Sequence, residues 1–215
     1  MVENQIREIR NQLRLAMNGV ISTSMREKGI VYKLNFGVPY PEIKEIAASF
    51  VPDAALAAAL WKENIREFKI LATMLQPVEL FTKEQAKEWV KEIPYQEIAE
   101  SCSRNLFSKM PEADVLAMEL VFKSEQPFAR TVAFLVWMHW LAGGKTLSVP
   151  RQAEFIFETT RSLKTTGASW GEKQAAVKAL KAYGRQAMGQ AEAVLDRLKD
   201  FPVSGTSEQI GRAHV

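Results

Sequence analysis

The sequence is poor in the residues that most often form covalent crosslinks and metal sites. Its 215 residues include one cysteine, Cys102, and two histidines, His139 and His214. One thiol cannot form an internal disulfide or a thiolate zinc site, and two histidines make a histidine-based metal site improbable. We therefore expect no metal or other cofactor, and a reducing compartment fits this composition.

Aspartate and the familiar catalytic motifs are also scarce. The four aspartates are Asp53, Asp114, Asp196 and Asp200. The chain contains no phosphate-binding glycine loop, no nucleophile elbow, no paired-histidine motif and no Asp-x-Asp metal pattern. These absences exclude most familiar active sites.

Long hydrophobic runs are missing as well. The longest apolar stretch is Thr131–Ala142, which is shorter than the roughly 20 residues that a membrane span requires. The first 18 residues mix charged and apolar side chains and contain no apolar block of the kind that an export signal needs. A cytoplasmic location is the expectation.

The patterns that are present predict an all-α fold. Apolar residues recur at helical spacing, as in Ile6, Ile9 and Leu13, and short breaks at proline or glycine separate about a dozen helices. Thr82 is placed to cap one helix, and prolines such as Pro150 are predicted to stand at helix starts. Short connections favour antiparallel neighbours, and the near-regular pairing favours a HEAT-like solenoid over a bundle.

We predict a single helical-repeat domain over residues 1–203 and a disordered tail over residues 204–215. The last six residues, Ile-Gly-Arg-Ala-His-Val from Ile210, are what a common sequencing-adapter read encodes. We interpret residues 210–215 as a sequencing artefact and leave them out of the fold prediction.

Charge is nearly balanced overall but uneven along the chain. Lys and Arg total 28 against 25 Asp and Glu, which gives a net charge of +3. Between Lys145 and Arg185 there are eight basic and three acidic residues, a local excess of 8 − 3 = +5. Such a surface would suit a duplex DNA backbone, and an ordinary solvated helix face explains the same residues equally well.

Three side chains on apolar helices have competing interpretations. Arg130 begins the most apolar helix, where it could hold an anion or bind the last carbonyls of a neighbouring helix, and its position alone favours the structural role. His139 lies between Trp137 and Trp140 in sequence, so we expect a core histidine, not a ligand or base. Cys102 is interpreted as a small core residue.

Five segments together resemble one family: Phe36–Ala47, Leu60–Ala72, Trp89–Glu100, Pro127–Leu135 and Lys173–Gly184. In this order and spacing they look like the AlkD-type DNA alkylation repair proteins, which are HEAT-like helical-repeat DNA glycosylases. The resemblance implies a concave, basic surface that grips duplex DNA and releases N3- or N7-alkylated purines without a metal or redox cofactor. A cationic alkylated base is a good leaving group, so a carboxylate near the sugar and distorted DNA are the main requirements.

The family's site residues transfer to this sequence only in part. The resemblance places the family's arginine at Arg130, as a phosphate contact, and its aromatic residue at Tyr95. Its aspartate falls on Ala99 and its tryptophan on Lys178. Glu100 replaces the aspartate only if the alignment slips by one residue, which makes it the candidate catalytic residue.

These observations predict a monomeric protein that binds duplex DNA, damaged or distorted, in alkylation repair. The predicted DNA-binding residues are Tyr95, Arg130, Lys145, Arg151 and Lys178. Because the family's aspartate position holds Ala99, glycosylase activity stays an open expectation. The alternative is a non-catalytic HEAT-repeat scaffold that binds a protein partner.

Overall fold

The computed structural model describes residues 2–199, so the predicted tail at 204–215 lies outside the described residues. Within residues 2–199 the chain forms twelve α-helices and two 3-10 helices, as expected for an all-α fold. The α-helices are α1 (Val2–Leu15), α2 (Gly19–Glu27), α3 (Tyr40–Ala48), α4 (Ala54–Lys62), α5 (Arg66–Leu75), α6 (Lys83–Lys91), α7 (Gln96–Asn105), α8 (Ala113–Lys123), α9 (Ala129–Ala142), α10 (Val149–Lys164), α11 (Trp170–Gly184) and α12 (Met188–Leu198). The 3-10 helices are Val78–Leu80 and Phe107–Lys109.

Local sequence signals explain several helix starts. The Thr82 hydroxyl accepts a hydrogen bond from the Gln85 backbone N–H, and the Gln85 side chain accepts one from the Thr82 N–H, so the predicted cap is a full capping box. Pro41 and Pro150 are the second residues of α3 and α10. Pro94, Pro111 and Pro127 instead stand two residues before their helices, because a turn residue follows each proline and serves as the N-cap.

The helices stack in two layers. In the odd-numbered layer, α3, α5, α7, α9 and α11 pack in that order, and in the other layer α6 packs on α8 and α10 on α12. Consecutive helices also pack across the layers, as α4 does on α5, α8 on α9 and α10 on α11. This arrangement is the stack of helix pairs that a solenoid requires.

Neighbouring helices of the odd-numbered layer run parallel in two pairs, α5 with α7 and α9 with α11. Arg66 at the start of α5 bonds to Glu97 at the start of α7, with 2.6 Å between Nη2 and Oε1. Arg130 and Glu172 join the starts of α9 and α11 in the same way, with 2.8 Å between Nε and Oε1. Within each pair the helix starts lie side by side, and so do the helix ends. Asn105 of α7 donates to Thr73 of α5, and Gln186, which follows α11, donates to the Leu141 carbonyl oxygen of α9.

Helix α9 is the centre of the core. Every residue from Thr131 to Trp137 is buried, and α9 packs on α7, α8 and α11. Trp137 packs edge-on against Phe155 with 5.3 Å between ring centroids, and its indole N–H donates to Asp114. Burying one such side chain contributes about 2–3 kcal/mol, so this helix fixes the positions of its neighbours.

The sequence Arg66-Glu67-Phe68 at the start of α5 has a structural role. Glu67 is fully buried, and its carboxylate accepts hydrogen bonds from the backbone N–H groups of Phe36 and Val38. Arg66 bonds to Glu67, to Glu97 and to the Val38 carbonyl oxygen. The buried carboxylate is thereby neutralised and hydrogen-bonded, which is the condition for placing a charge in a core.

Gly37 permits the close approach of the N-terminal helices. Its φ is +69°, and a Cβ at this position would overlap the carbonyl oxygen of Asn18. The Asn18 N–H donates to the Phe36 carbonyl oxygen at 2.8 Å, which ties the α1–α2 junction to the extended segment before α3. Only glycine satisfies both the backbone angle and the contact.

Candidate nucleic-acid interface

One face of α11 presents a row of cations. Lys178, Lys181 and Arg185 lie at positions i, i+3 and i+7, so they share one side of the helix, and all three are exposed. The opposite side is formed by small buried residues that pack on α9. Within residues 2–199, no carboxylate forms an ion pair with any of the three. Their charges are therefore available to an anion from outside.

A groove of about 610 Å³ separates this cationic face from the end of α9. Its apolar floor is formed by Met138 and Ala142, and Leu141 also lines it but is 2% exposed. The Gln186 side chain closes one end, because its amide nitrogen donates to the carbonyl oxygens of Leu141 at 3.0 Å and Lys145 at 2.6 Å. Lys145, a predicted DNA contact, is exposed beside this groove.

Two further cations approach the same region from α7 and the following 3-10 helix. Arg104 is exposed and its guanidinium lies 5.2 Å from the centre of the Tyr40 ring. Lys109 is also exposed, and the part of the chain that the structure describes shows no carboxylate paired with either residue. We call Arg104, Lys109, Lys178, Lys181 and Arg185 the basic strip.

The pKa of His139 reflects the positive charge of the basic strip around it. Burial, and then the positive charges of Arg104, Lys178 and Lys109, lower the pKa of His139 from 6.5 to about 4. The ring stands in the last turn of α9, where the helix dipole by itself favours a protonated histidine. Burial and the three cations outweigh the dipole, so His139 is neutral at pH 7.

The cations of the strip also have a structural explanation. Arg104 stands in the last turn of α7 and Lys181 in that of α11, where basic side chains stabilise the helix dipole by about 0.3–1 kcal/mol. That explanation does not cover Lys178, which lies earlier in α11 and, like Arg104 and Lys109, lies near enough to His139 to lower its pKa. Exposed cations without an ion-pair partner among the described residues favour a binding role.

Arg130 lies at the opposite edge of the layer and is held by protein groups. Its guanidinium donates to the carboxylates of Glu158 and Glu172 at 3.0 and 2.8 Å and to the Ser162 hydroxyl at 2.7 Å. The carbonyl oxygens of Val121 and Glu158 accept further bonds. These contacts account for the residue as a link between α9, α10 and α11, and its role as a phosphate contact stays a prediction.

Arg151 lies at the start of α10, in the other layer. Its guanidinium pairs with Asp114 at 3.1 Å and with Glu154 at 3.0 Å. Unlike the cations of the basic strip, Arg151 therefore has two carboxylate partners.

Tyr95 is the N-cap residue of α7 and its phenol is held by the chain before α3. The hydroxyl accepts a hydrogen bond from the Val31 N–H at 2.8 Å and donates one to the Val31 carbonyl oxygen at 3.0 Å. Its ring meets Tyr32 edge-on, with 5.0 Å between centroids. Both hydrogen-bonding functions of the phenol are thus used inside the protein.

The carboxylates that could replace the family's catalytic aspartate lie on one turn of α7, around Ala99. Ala99 is fully buried, so the position of the family's aspartate faces the core. Glu97 is bound by Arg66 through both oxygens, at 2.6 and 2.8 Å. Glu100 is half-buried and accepts one hydrogen bond from Gln96 at 3.3 Å. Glu100 lies one turn before Arg104, so these two residues share a face of α7.

The predicted site residues are therefore brought together only in part. Lys178 lines the groove and Lys145 follows α9 beside it. Tyr95 caps α7 and Glu100 lies in its second turn, whereas Arg130 and Arg151 are paired with carboxylates. Sequence reasoning did not include Arg104 and Lys109 in the candidate interface, and it included Lys181 and Arg185 only as part of the basic stretch from Lys145 to Arg185. The i, i+3, i+7 spacing on α11 was the signal for two of them, whereas Arg104 and Lys109 join the strip only through tertiary packing.

Other kinds of site find little support in the part of the chain that the structure describes. No cluster of three or more His, Cys, Asp or Glu residues able to hold a metal ion occurs there. Cys102 is fully buried, and burial raises the pKa of its thiol well above the usual value. The described helices include none that is both long enough and apolar enough to cross a membrane.

Comparisons with known proteins identify a family and a similar fold. A family model described as DNA alkylation repair enzyme matches residues 9–201. The fold is similar to a solved structure described as "a new family of proteins related to the HEAT-like repeat DNA glycosylases with affinity for branched DNA structures". The two chains are 12% identical with a TM-score of 0.77, over 90% of this chain and 81% of the other. A search of curated proteins found no match. The predicted HEAT-like repeat fold is thereby confirmed.

Proposed function

The chain belongs to the DNA alkylation repair enzyme family, and from this premise we propose that it binds duplex DNA through the basic strip. The observation that carries the proposal is the set of five exposed cations without carboxylate partners among the described residues, three of which depress the pKa of one histidine. DNA phosphates would neutralise this charge and release counterions, which drives binding without sequence preference.

We further propose that branched or distorted DNA is a substrate class. The solved structure of similar fold is described as belonging to proteins with affinity for branched DNA. In this chain, support comes from the layout of the strip, because its cations come from α7, the 3-10 helix Phe107–Lys109 and α11. A row of cations across several helices can follow a backbone that changes direction.

Binding, not base removal, is the activity that we propose. Release of N3- or N7-alkylated purines would need a carboxylate near the sugar, and Ala99 supplies none. Glu97 is held by Arg66, which leaves Glu100 as the carboxylate of α7 that a base-releasing reaction would have to use. Glu100 therefore stays the candidate catalytic residue, and its test is separate from the test of binding.

The binding experiment compares the wild-type protein with the double variant Lys178→Ala/Lys181→Ala on a duplex of about 20 base pairs. If all five strip residues contact phosphates, the logarithm of the association constant should fall with the logarithm of salt concentration with a slope of roughly −4.5, at about −0.9 per contact. In the double variant, which removes two contacts, this slope should be less negative by about 2. Lys62→Ala, which removes an exposed lysine at the end of α4, is the matched control and should leave the slope unchanged.

The catalytic experiment incubates the protein with duplex DNA that contains N7-methylguanine and measures released base. We expect binding without release. Release that is abolished by Glu100→Gln would overturn the proposal of a non-catalytic binder and would identify Glu100 as the catalytic carboxylate.

The alternative function is a HEAT-repeat scaffold that binds an acidic protein partner through the same cations. Failure of the wild-type protein to bind any DNA at low salt would favour it. A monomeric state and a cytoplasmic location remain part of the proposal, and the single, buried thiol of Cys102 suits a reducing compartment.

A further inference from the structure

The groove beside α11 combines two kinds of surface. Its wall carries the cations Lys178, Lys181 and Arg185, and its floor is the apolar surface of Met138 and Ala142. A regular duplex presents phosphates and sugars outward and keeps the faces of its bases stacked inside. The cations alone are enough to bind the phosphates of such a duplex, and a regular duplex exposes no base face that could pack on the apolar floor.

An unpaired nucleotide matches both surfaces at once. Its phosphate suits the cationic wall, and the face of its base suits an apolar floor. The volume of about 610 Å³ lies within the range of about 300–1,000 Å³ that small-molecule sites occupy. Met138 is half-buried, and a flexible thioether packs well against a flat ring.

Gln186 adds a polar feature to the groove. Its amide nitrogen is committed to the Leu141 and Lys145 carbonyl oxygens, which fixes which end of the amide is oxygen. That oxygen is shielded from solvent and accepts no hydrogen bond within residues 2–199. Because water cannot reach that oxygen, a base in the groove cannot reach it either, so Gln186 lines the groove without offering a free acceptor.

From these observations we propose that the groove between α9 and α11 binds an unpaired nucleotide of branched DNA. The base packs on Met138 and Ala142, and the adjoining phosphates bind Lys178, Lys181 and Arg185. This inference rests on the proposed function, since it assumes that the basic strip binds DNA. It identifies the part of a branched substrate that the protein distinguishes from a plain duplex.

The test uses two DNAs of equal length and charge, a perfect duplex and a three-way junction with two unpaired nucleotides at its centre. Burying the face of a base against apolar side chains removes apolar area from water, so wild-type protein should prefer the junction by about tenfold. Met138→Gln should reduce the preference to about threefold or less and leave the affinity for the duplex unchanged. Phe122→Gln, which removes an exposed apolar side chain from α8, is the control and should keep the preference.

A second readout needs no variant. With 2-aminopurine at an unpaired junction position, wild-type protein should change the fluorescence and protect the base from acrylamide quenching, and 2-aminopurine in the duplex should not respond. Equal affinity for the two DNAs, or a junction base that stays fully open to quencher, would overturn the inference and leave DNA binding by the strip intact. Binding to neither DNA would instead show that the proposed function fails.

Discussion

The guanidinium of Arg130 lies 3.0 Å from the carboxylate of Glu158, and that carboxylate is 1% exposed. Glu158 is on α10, and the same guanidinium reaches Glu172 on α11. A single side chain of α9 therefore compensates charge on two other helices. Arg161 also bonds to Glu158, but its side chain is half exposed and lies on the solvent side.

Substitution of Arg130 should cost stability. Arg130→Met leaves Glu158 buried with one partner, and breaking a pair of this kind destabilises proteins by several kcal/mol. Because Arg130 is partly exposed, we expect the free energy of unfolding to fall by about 2–4 kcal/mol, as measured by urea denaturation. In Arg130→Met/Glu158→Gln the loss should be smaller than in the single variant, because the buried charge is gone.

The same variants separate the two roles of Arg130. At a temperature where Arg130→Met remains folded, its affinity for duplex DNA should lie close to that of the wild-type protein if the residue acts only within the protein. A tenfold loss of affinity in folded protein would instead support the predicted phosphate contact.

Replacing Ala99 by the family's aspartate should destabilise the protein and should not produce base release. The side chain at position 99 is fully buried, so Ala99→Asp would place a carboxylate in the core between α7 and its neighbours. The expected result is a loss of about 3 kcal/mol or more in the free energy of unfolding and no release of alkylated base. Stable, active Ala99→Asp protein would mean that the first turns of α7 and α9 are arranged differently from this structure.

Lys145 and Arg151 should differ as DNA contacts although both come from the same basic stretch of sequence. Arg151 is occupied by Asp114 and Glu154, whereas Lys145 is exposed beside the groove. We expect Lys145→Ala to weaken duplex binding by about threefold in 100 mM salt and Arg151→Ala to change it by less than twofold, as measured by fluorescence anisotropy. A larger effect of Arg151→Ala than of Lys145→Ala would contradict this order and support the sequence-based assignment of Arg151.

His139 should make stability depend on pH. Its pKa is about 6.5 in the unfolded chain and about 4 in the folded protein, so between these values the unfolded chain binds more protons. The free energy of unfolding should therefore decrease as the pH falls from 7.5 to 5.5, by about 1 kcal/mol or less because solvent screens the half-exposed ring. His139→Gln should flatten this part of the profile. An unchanged slope in the variant would mean that another group is responsible.

The sequence predicted the helices well because their signals are local. The capping box at Thr82 and the apolar pattern of Thr131–Trp137 depend on neighbouring residues alone. The interface was harder to predict, because the approach of Arg104 and Lys109 to Lys178 depends on how α7 and α11 pack against α9. For the same reason the partners of Arg130 and Arg151 could not be known, since Glu158, Glu172 and Asp114 lie on other helices.

In α5, α7, α9 and α11, charged side chains at the helix starts differ in their pairing from those towards the helix ends. The pairs Arg66–Glu97 and Arg130–Glu172 close the charges at the helix starts, and the basic strip leaves them open towards the ends. One rim of the molecule thus carries unpaired cations that can bind DNA, and the other rim carries charged side chains that are paired with one another. DNA bound along the strip would occupy the first rim only, so the expected stoichiometry is one duplex arm for each protein molecule, with the remaining arms of a junction left accessible to other proteins.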